Sequence, residues 1–282
     1  MSEETKLMEG RLLSKKILES LKEKIQGFES KPILSIILCG EDKDSVLYTN
    51  IKKKRGEEIG MQVDIHKVSS DVTQEKLIET IKELNKTSTG LIVQLPLPSE
   101  INANEIVEAI DPDKDVDGLT PLNFGKTLTE KEELASATPK GIIKLLEEYN
   151  IEIKGKEVTI VNNSNIIGKP LAIMMANRGA TVTICHSKTK DLAKNTKNAD
   201  ILITGVGKPG LITGDMIKED AVVIDAGIAE NDGKWKGDVT FDEVKEKVSY
   251  ITPVPGGVGP MTVAMLLENV VIAYELQRNK NE

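Results

Sequence analysis

The stretch that most constrains this chain is residues 156–189, KEVTIVNNSNIIGKPLAIMMANRGATVTICHSKT. Residues 158–161 and 181–185 are short β-branched runs of the kind that buried parallel strands use. Between them Gly168, Lys169 and Pro170 open an apolar helix, and it closes at Arg178 and Gly179, where a helix C-terminus favours a cation and a glycine. Strand, loop, helix and strand in this order make one βαβ unit of a dinucleotide-binding fold.

The loop of that unit, 162–168, is small and polar, which lets backbone approach a pyrophosphate. The helix behind it is expected to offer unpaired N–H groups and a positive dipole end. A literal GxGxxG occurs elsewhere, at Gly205, Gly207 and Gly210 in TGVGKPG. It is read as a decoy, because Pro209 and Gly210 interrupt the helix start that the fingerprint requires and no βα unit with a ribose-binding acid follows at the right distance.

A chain of 282 residues is long enough for two domains, each with its own core. A formal charge of −8 argues against nucleic acid as a partner. No apolar run is expected to reach membrane-spanning length, and MSEETKLMEG has neither a basic nor an apolar segment to act as a signal, so no membrane and a cytoplasmic address are expected. Cys39 and Cys185, in separate apolar runs, read as reduced buried thiols.

Along the chain, 12–28 carries helical spacing, and 33–40 reads as a buried strand followed by a helix at 45–59. A strand at 61–68, a helix at 72–86, a strand at 90–98 and a short helix at 104–110 repeat the cycle. Such alternation implies a mainly parallel sheet with ligands at the carboxyl ends of the strands. Thr138, Pro139 and Lys140 start a helix to about 149, where the passage between domains is placed. Two more strands, ADILITG and AVVIDAG, and a hairpin-like NDGKWKGDV lead to the loop ITPVPGGVGPM, then a long helix from 261 to about 277, expected to pack on the first domain. The fold class is therefore α/β, with 1–139 and 261–282 as one α/β domain and 140–260 as a Rossmann-type domain, and a cleft expected between them.

Three constellations carry chemistry. Ser45, Tyr48 and Lys52 share a helix face, although Lys52 heads a KKKR run of a kind that is usually solvated and Tyr48 suits a core equally well. Gln94 stands at a strand end before Leu95 and Pro96, where the prolines either hold a site loop or merely end an edge strand. Asp115 and Asp117 alternate in a turn, a place where aspartate commonly bonds its own backbone. Without a histidine cluster these carboxylates make no metal site.

These motifs, with Thr138-Pro-Lys-Gly141, Ser164 to Pro170, Cys185-His-Ser-Lys-Thr189 and Ile251-Thr-Pro-Val-Pro-Gly-Gly-Val-Gly-Pro260, resemble the methylenetetrahydrofolate dehydrogenase/methenyltetrahydrofolate cyclohydrolase family in its short two-domain form. The match runs in register from about residue 10 to 279, and PVPGGVGPMT and QLPLP are its most specific parts. The resemblance implies a one-carbon folate substrate, a nicotinamide cofactor and a homodimer. By position Lys52 is the catalytic lysine, Gln94 orients it or the water, Asp117 binds the pterin and Tyr48 packs on the ring system. It also implies substrate contacts from Ser45, Leu95, Pro96, Pro255, Gly256, Gly257 and Pro260. Cofactor contacts are implied for Asn162, Asn163, Ser164, Ile167, Gly168, His186, Ser187, Lys188, Thr204, Gly205, Gly207 and Ile228.

The chain departs from the family pattern where Asn162-Asn163-Ser164 replaces a frequent Gly-Arg-Ser, because Asn163 cannot supply the arginine's charge to an adenosine phosphate. His186-Ser187-Lys188-Thr189 has no acid to hold a ribose diol, so NADP is expected over NAD on the sign of the charge. A monofunctional dehydrogenase and a non-enzymatic dinucleotide-binding regulator are the competing readings.

Overall fold

The computed structural model describes residues 5–231 and 233–280. In chain order the elements are β1 (Lys6–Leu7), α1 (Gly10–Gln26), β2 (Ile33–Cys39), α2 (Lys43–Glu58), β3 (Gln62–Val68), α3 (Gln74–Thr87), β4 (Gly90–Val93), α4 (Ala103–Glu108), α5 (Pro121–Leu128) and α6 (Ala137–Glu148). There follow β5 (Glu157–Val161), α7 (Gly168–Asn177), β6 (Thr181–Cys185), α8 (Leu192–Thr196), β7 (Ile201–Thr204), β8 (Val222–Asp225), β9 (Ala229–Asn231), β10 (Lys234–Lys236), α9 (Phe241–Val244), β11 (Tyr250–Ile251) and α10 (Val258–Asn279).

The chain divides into two compact units. One holds the residues up to Ser14 with Thr138–Thr262, the other Lys15–Ala137 with the residues from Val263 on. Part of the expected first domain thus lies in the other unit, because β1 pairs in parallel with β11 through Lys6↔Tyr250 and Leu7↔Ile251. A two-residue strand has no periodicity from which to read it.

In the unit beginning at Lys15, β2 lies between β3 and β4 in a parallel sheet. Six consecutive buried residues in β2 explain why its sequence is apolar throughout rather than alternating. Ile37, Cys39, Leu91 and Val93 pack with Leu77 and Ile81 of α3 and Ile106 of α4. Asp42 caps α2 by accepting the Ser45 N–H at 2.8 Å, a capping bond worth about 1 kcal/mol. The short helix α5 has no counterpart in the sequence expectations, although Thr120 caps it and Pro121 occupies its first turn.

The last helix corrects two expectations. It begins at Val258 rather than Met261, with Pro260 in the first turn, where a missing N–H costs nothing. It is also 22 residues long and apolar enough by length and composition to cross a membrane, contrary to the expectation that no stretch approaches that. Here it is a core helix: Leu266, Leu267, Val270 and Val271 are buried, each contributing about 2 kcal/mol of gross burial. Asn269, also buried, donates from its amide to the Val116 and Ala135 carbonyls at 2.8 and 2.9 Å, which anchors α10 to this unit.

In the other unit six parallel strands run in the order β1-β11-β8-β7-β5-β6. The βαβ unit forms as expected, with α7 ending at Asn177 and Gly179 at φ +81°. Strand order reverses around β5, whose neighbours are β6 and β7, and such a reversal is where open α/β sheets bind ligands. The strand ends are level: Cys185, Val161, Thr204 and Asp225 stand side by side in register. Every loop expected to hold a dinucleotide, except the one after β11, therefore leaves from one row.

Candidate functional site

Helix α2 carries Ser45, Tyr48, Thr49 and Lys52 at spacings of three and four, so all four lie on one face. Ser45 and Thr49 are buried, while Tyr48 and Lys52 are half-buried. Lys52 Nζ donates to Gln94 Oε1 at 2.9 Å. Gln94 Nε2 in turn donates to the Leu95 carbonyl at 2.8 Å, which fixes the amide so that its oxygen meets the lysine. Strand β4 stops at Val93, shorter than the expected 90–98, and the Leu95–Pro96 bond is cis. Gln94 thus belongs to the turn beyond the strand, and Pro96 is exposed.

The KKKR run divides by role. Lys53 pairs with Glu57 at 3.7 Å and Arg55 with Glu58 at 2.7 Å, both at the surface, as such runs usually do. Lys52 alone turns to Gln94. Burial holds its ammonium below the ordinary lysine range, and the opposing pull of the Asp117 carboxylate does not cancel that. Asp117 is pushed up by burial, with Lys52 drawing it down and Asp115 adding to the rise. Each charge offsets only part of the other's lost hydration.

The two aspartates of the turn separate sharply. Asp115 is buried and accepts from the Leu119 and Thr120 N–H groups at 3.1 and 2.8 Å and from Asn123 Nδ2 at 3.0 Å. It is the local turn-former that aspartate usually is. Asp117 accepts no hydrogen bond from any described residue, so its oxygens remain available to a ligand.

At the level strand ends of the six-stranded sheet, Asn162 Oδ1 accepts from Ser164 N at 2.7 Å and Gly168 N at 3.2 Å, and Nδ2 donates to the Gly205 carbonyl. Ser164 Oγ takes the Ile167 N–H at 3.0 Å, and its carbonyl takes that of Lys169, also at 3.0 Å. The expected unpaired N–H groups at the start of α7 are therefore corrected at Ile167, Gly168 and Lys169: the loop's own side chains and backbone hold them. A Cβ on Gly168 would lie 1.9 Å from the Asn162 carbonyl oxygen, so the helix start abuts the strand end as only glycine permits.

Past β6, His186, Ser187 and Lys188 are exposed in a turn closed by His186 N to Thr189 Oγ1 at 2.9 Å and Lys188 N to His186 Nδ1 at 3.1 Å. No acidic side chain is among them, and Lys188 makes no ion pair with a described residue. Asn163 is exposed in the loop after β5, and Gly207 and Ile228 are exposed in the loops after β7 and β8. A close-approach glycine at a helix start and a lysine lacking a counter-ion past the following strand fit a phosphorylated dinucleotide.

Two residues expected to touch ligand serve packing. Thr204 is fully buried and gives its hydroxyl to Asp238. Gly257 is buried against Gly10, where a Cβ would fall 1.9 Å from the Gly257 carbonyl oxygen. In the same loop Gly256 is buried and accepts the Arg11 N–H at 3.0 Å, Pro255 is exposed and Pro260 half-buried. Sequence reasoning missed Thr49, whose buried hydroxyl has no hydrogen-bond partner, though its spacing on the Lys52 face was a usable signal. It also missed Asp225 and Asp238, which no spacing connects.

Two family models match: tetrahydrofolate dehydrogenase/cyclohydrolase, catalytic domain, over residues 8–117, and tetrahydrofolate dehydrogenase/cyclohydrolase, NAD(P)-binding domain, over residues 136–278. The bifunctional protein FolD of Helicobacter pylori (strain HPAG1) is 48% identical over 281 residues, covering 97% of each chain. Among solved structures, the bifunctional methylenetetrahydrofolate dehydrogenase/cyclohydrolase FolD of Campylobacter jejuni matches with TM-score 0.93 at 45% identity, over 97% of this chain and 99% of that one. FolD of Trypanosoma brucei, solved with NADP and an inhibitor, matches with TM-score 0.93 at 35% identity, over 98% and 99%. On matches of this extent, the chain belongs to the tetrahydrofolate dehydrogenase/cyclohydrolase family.

Proposed function

We propose that this chain oxidises methylenetetrahydrofolate to methenyltetrahydrofolate with NADP and hydrolyses the methenyl compound to formyltetrahydrofolate. The observation that carries the reading is the Lys52–Gln94 hydrogen bond beside an Asp117 whose carboxylate interacts with Lys52 but accepts no hydrogen bond from a described residue. Bound NADP would supply the hydride acceptor for the first activity. That step leaves a cation stabilised by the adjacent folate nitrogen, so the protein needs no strong base and acts by holding the reacting carbons and shaping the field around them.

Hydrolysis is where the lysine acts. Water adds to the methenyl carbon and must lose a proton; Lys52, its pKa lowered by burial, accepts it, while Gln94 keeps the amine in place. Asp117 accepts two parallel N–H bonds from the pterin, and Tyr48 packs on the ring system. For the dinucleotide, the loop of Asn162, Asn163, Ser164, Ile167 and Gly168 with the dipole of α7 receives the pyrophosphate. Ser187 and Lys188 meet the adenosine phosphate, and Gly205, Gly207 and Ile228 line the nicotinamide end. The Lys188 charge, with no acid beside it, favours NADP over NAD. A cytoplasmic homodimer completes the proposal.

Spectrophotometric assays of the purified chain test it. Methylenetetrahydrofolate oxidation faster with NADP than NAD, together with methenyltetrahydrofolate hydrolysis well above the buffer rate, is expected. Hydrolysis no faster than buffer would leave a monofunctional dehydrogenase, and loss of both would remove the enzyme reading.

A further inference from the structure

The strand β7 is followed only by a single 3-10 turn, Gly214–Met216, and β8 by the strand β9, so neither leads into an α-helix as β5 does. Their loops therefore lack the usual means of being held. Asp238, which follows the β9–β10 hairpin, takes over that task. One of its oxygens accepts the Thr204 hydroxyl at 2.7 Å and the Val206 N–H at 2.6 Å, and the other accepts the Lys208 N–H at 2.6 Å. Its own backbone is tied in by Ile212 N to the Asp238 carbonyl at 3.1 Å.

The neighbouring strand end is built the same way. Asp225 accepts from Gly227 N and Val239 N, both at 2.9 Å. The two carboxylates each lie against a bare Cα: a Cβ on Gly227 would fall 2.4 Å from the Asp238 carboxyl, and one on Gly237 would fall 2.1 Å from that of Asp225. The Gly205 carbonyl, between Thr204 and Val206, accepts from Asn162, so the loops after β5, β7 and β8 form one hydrogen-bonded assembly. Burying two carboxylates together is unfavourable, and Asp225 is pushed up to about 6 by burial, with Asp238 adding to the rise. Apolar packing would be cheaper at these positions, and such concessions concentrate at functional sites.

We infer that Asp238 is a positioning residue for the nicotinamide end of the dinucleotide, setting the path of the Gly205–Val206–Gly207–Lys208 backbone on which that end lies. The inference rests on the reading above that this loop lines the nicotinamide. Three donors converge on a group with two anionic oxygens. The isosteric amide of asparagine has one acceptor oxygen and would turn its NH2 toward a backbone N–H, which dismantles the arrangement at nearly unchanged volume.

The test compares binding of intact NADP with binding of 2′,5′-ADP, the fragment lacking the nicotinamide, by calorimetry on the full chain. For Asp238→Asn the expected result is about a tenfold or greater loss of NADP affinity, the size of losing charge-assisted hydrogen bonds, with fragment affinity changed less than about twofold. Should that variant fold poorly, Thr204→Val removes only one of the three donors and is expected to show the same split at about threefold. A residue that merely stabilised the unit would weaken both ligands together. Equal losses, or NADP affinity unchanged in both variants, would overturn the inference while leaving the proposed activities standing. A wild-type chain that binds neither ligand would overturn both.

Discussion

The Asp115 carboxylate accepts three hydrogen bonds from Leu119, Thr120 and Asn123, while that of Asp117, two residues along the turn, accepts none from a described residue. The difference predicts opposite phenotypes. Asp115→Ala strands buried donors at about 1–3 kcal/mol each and should lower Tm by several degrees. Asp117→Ala should leave Tm within about 2 °C and raise the KM for the folate by about 30-fold or more, as loss of a bidentate charged contact does. Thermal melts beside steady-state kinetics check both; a stable Asp117→Ala with normal KM would remove the pterin assignment.

Replacing Lys52 by Met should abolish hydrolysis by about 100-fold or more while NADP still binds. Because burial lowers the amine's pKa, the hydrolysis rate should rise with pH through a group titrating below 10.5, the ordinary lysine value. That limb should vanish in Lys52→Met and in Lys52→Arg, whose guanidinium stays charged. Gln94→Ala should flatten the limb less and cost about tenfold, as the amine loses the acceptor that Gln94 provides.

The buried Asp225 gives the fold a pH dependence of defined sign. Its folded pKa of about 6 exceeds the ordinary 3.8, so between those values the folded chain binds more protons than the unfolded one. Its contribution to stability is full below 3.8 and is lost as pH rises through about 6. Urea titrations at pH 5 and pH 7 should show wild type losing on the order of 1 kcal/mol more across that interval than Asp225→Asn.

Cofactor choice should turn on the strand-end lysine. Lys188→Glu places a carboxylate where a phosphate is expected and should reduce the preference for NADP over NAD by about tenfold or more. Initial rates with both cofactors measure this directly, and an unaltered ratio would show that the phosphate lies elsewhere.

Both thiols should be inert in the folded chain. Cys39 and Cys185 are buried and unpaired, and burial pushes each thiol up, away from the reactive thiolate. Titration with a chromogenic disulfide should modify neither within minutes under native conditions and both in denaturant.

The amino-acid sequence alone revealed most of the longer elements and the candidate residues they carry. The βαβ unit at 156–189, the helix face of Ser45, Tyr48 and Lys52, and the proline-bounded Gln94 are legible in short apolar runs, in helical spacing and in residues that end elements. Tertiary structure decided which of several equivalent residues meets which partner. Nothing in charge or size distinguishes Lys52 from Lys53 or Asp117 from Asp115; Gln94 reaches across forty-two positions to meet Lys52, and the donors of Leu119, Thr120 and Asn123 go to Asp115 and not to Asp117. Asp238 was beyond reading for the same reason. A hydrogen-bond acceptor is committed only when the fold delivers its donors, and for Asp238 they arrive from a strand end 30 to 34 residues away.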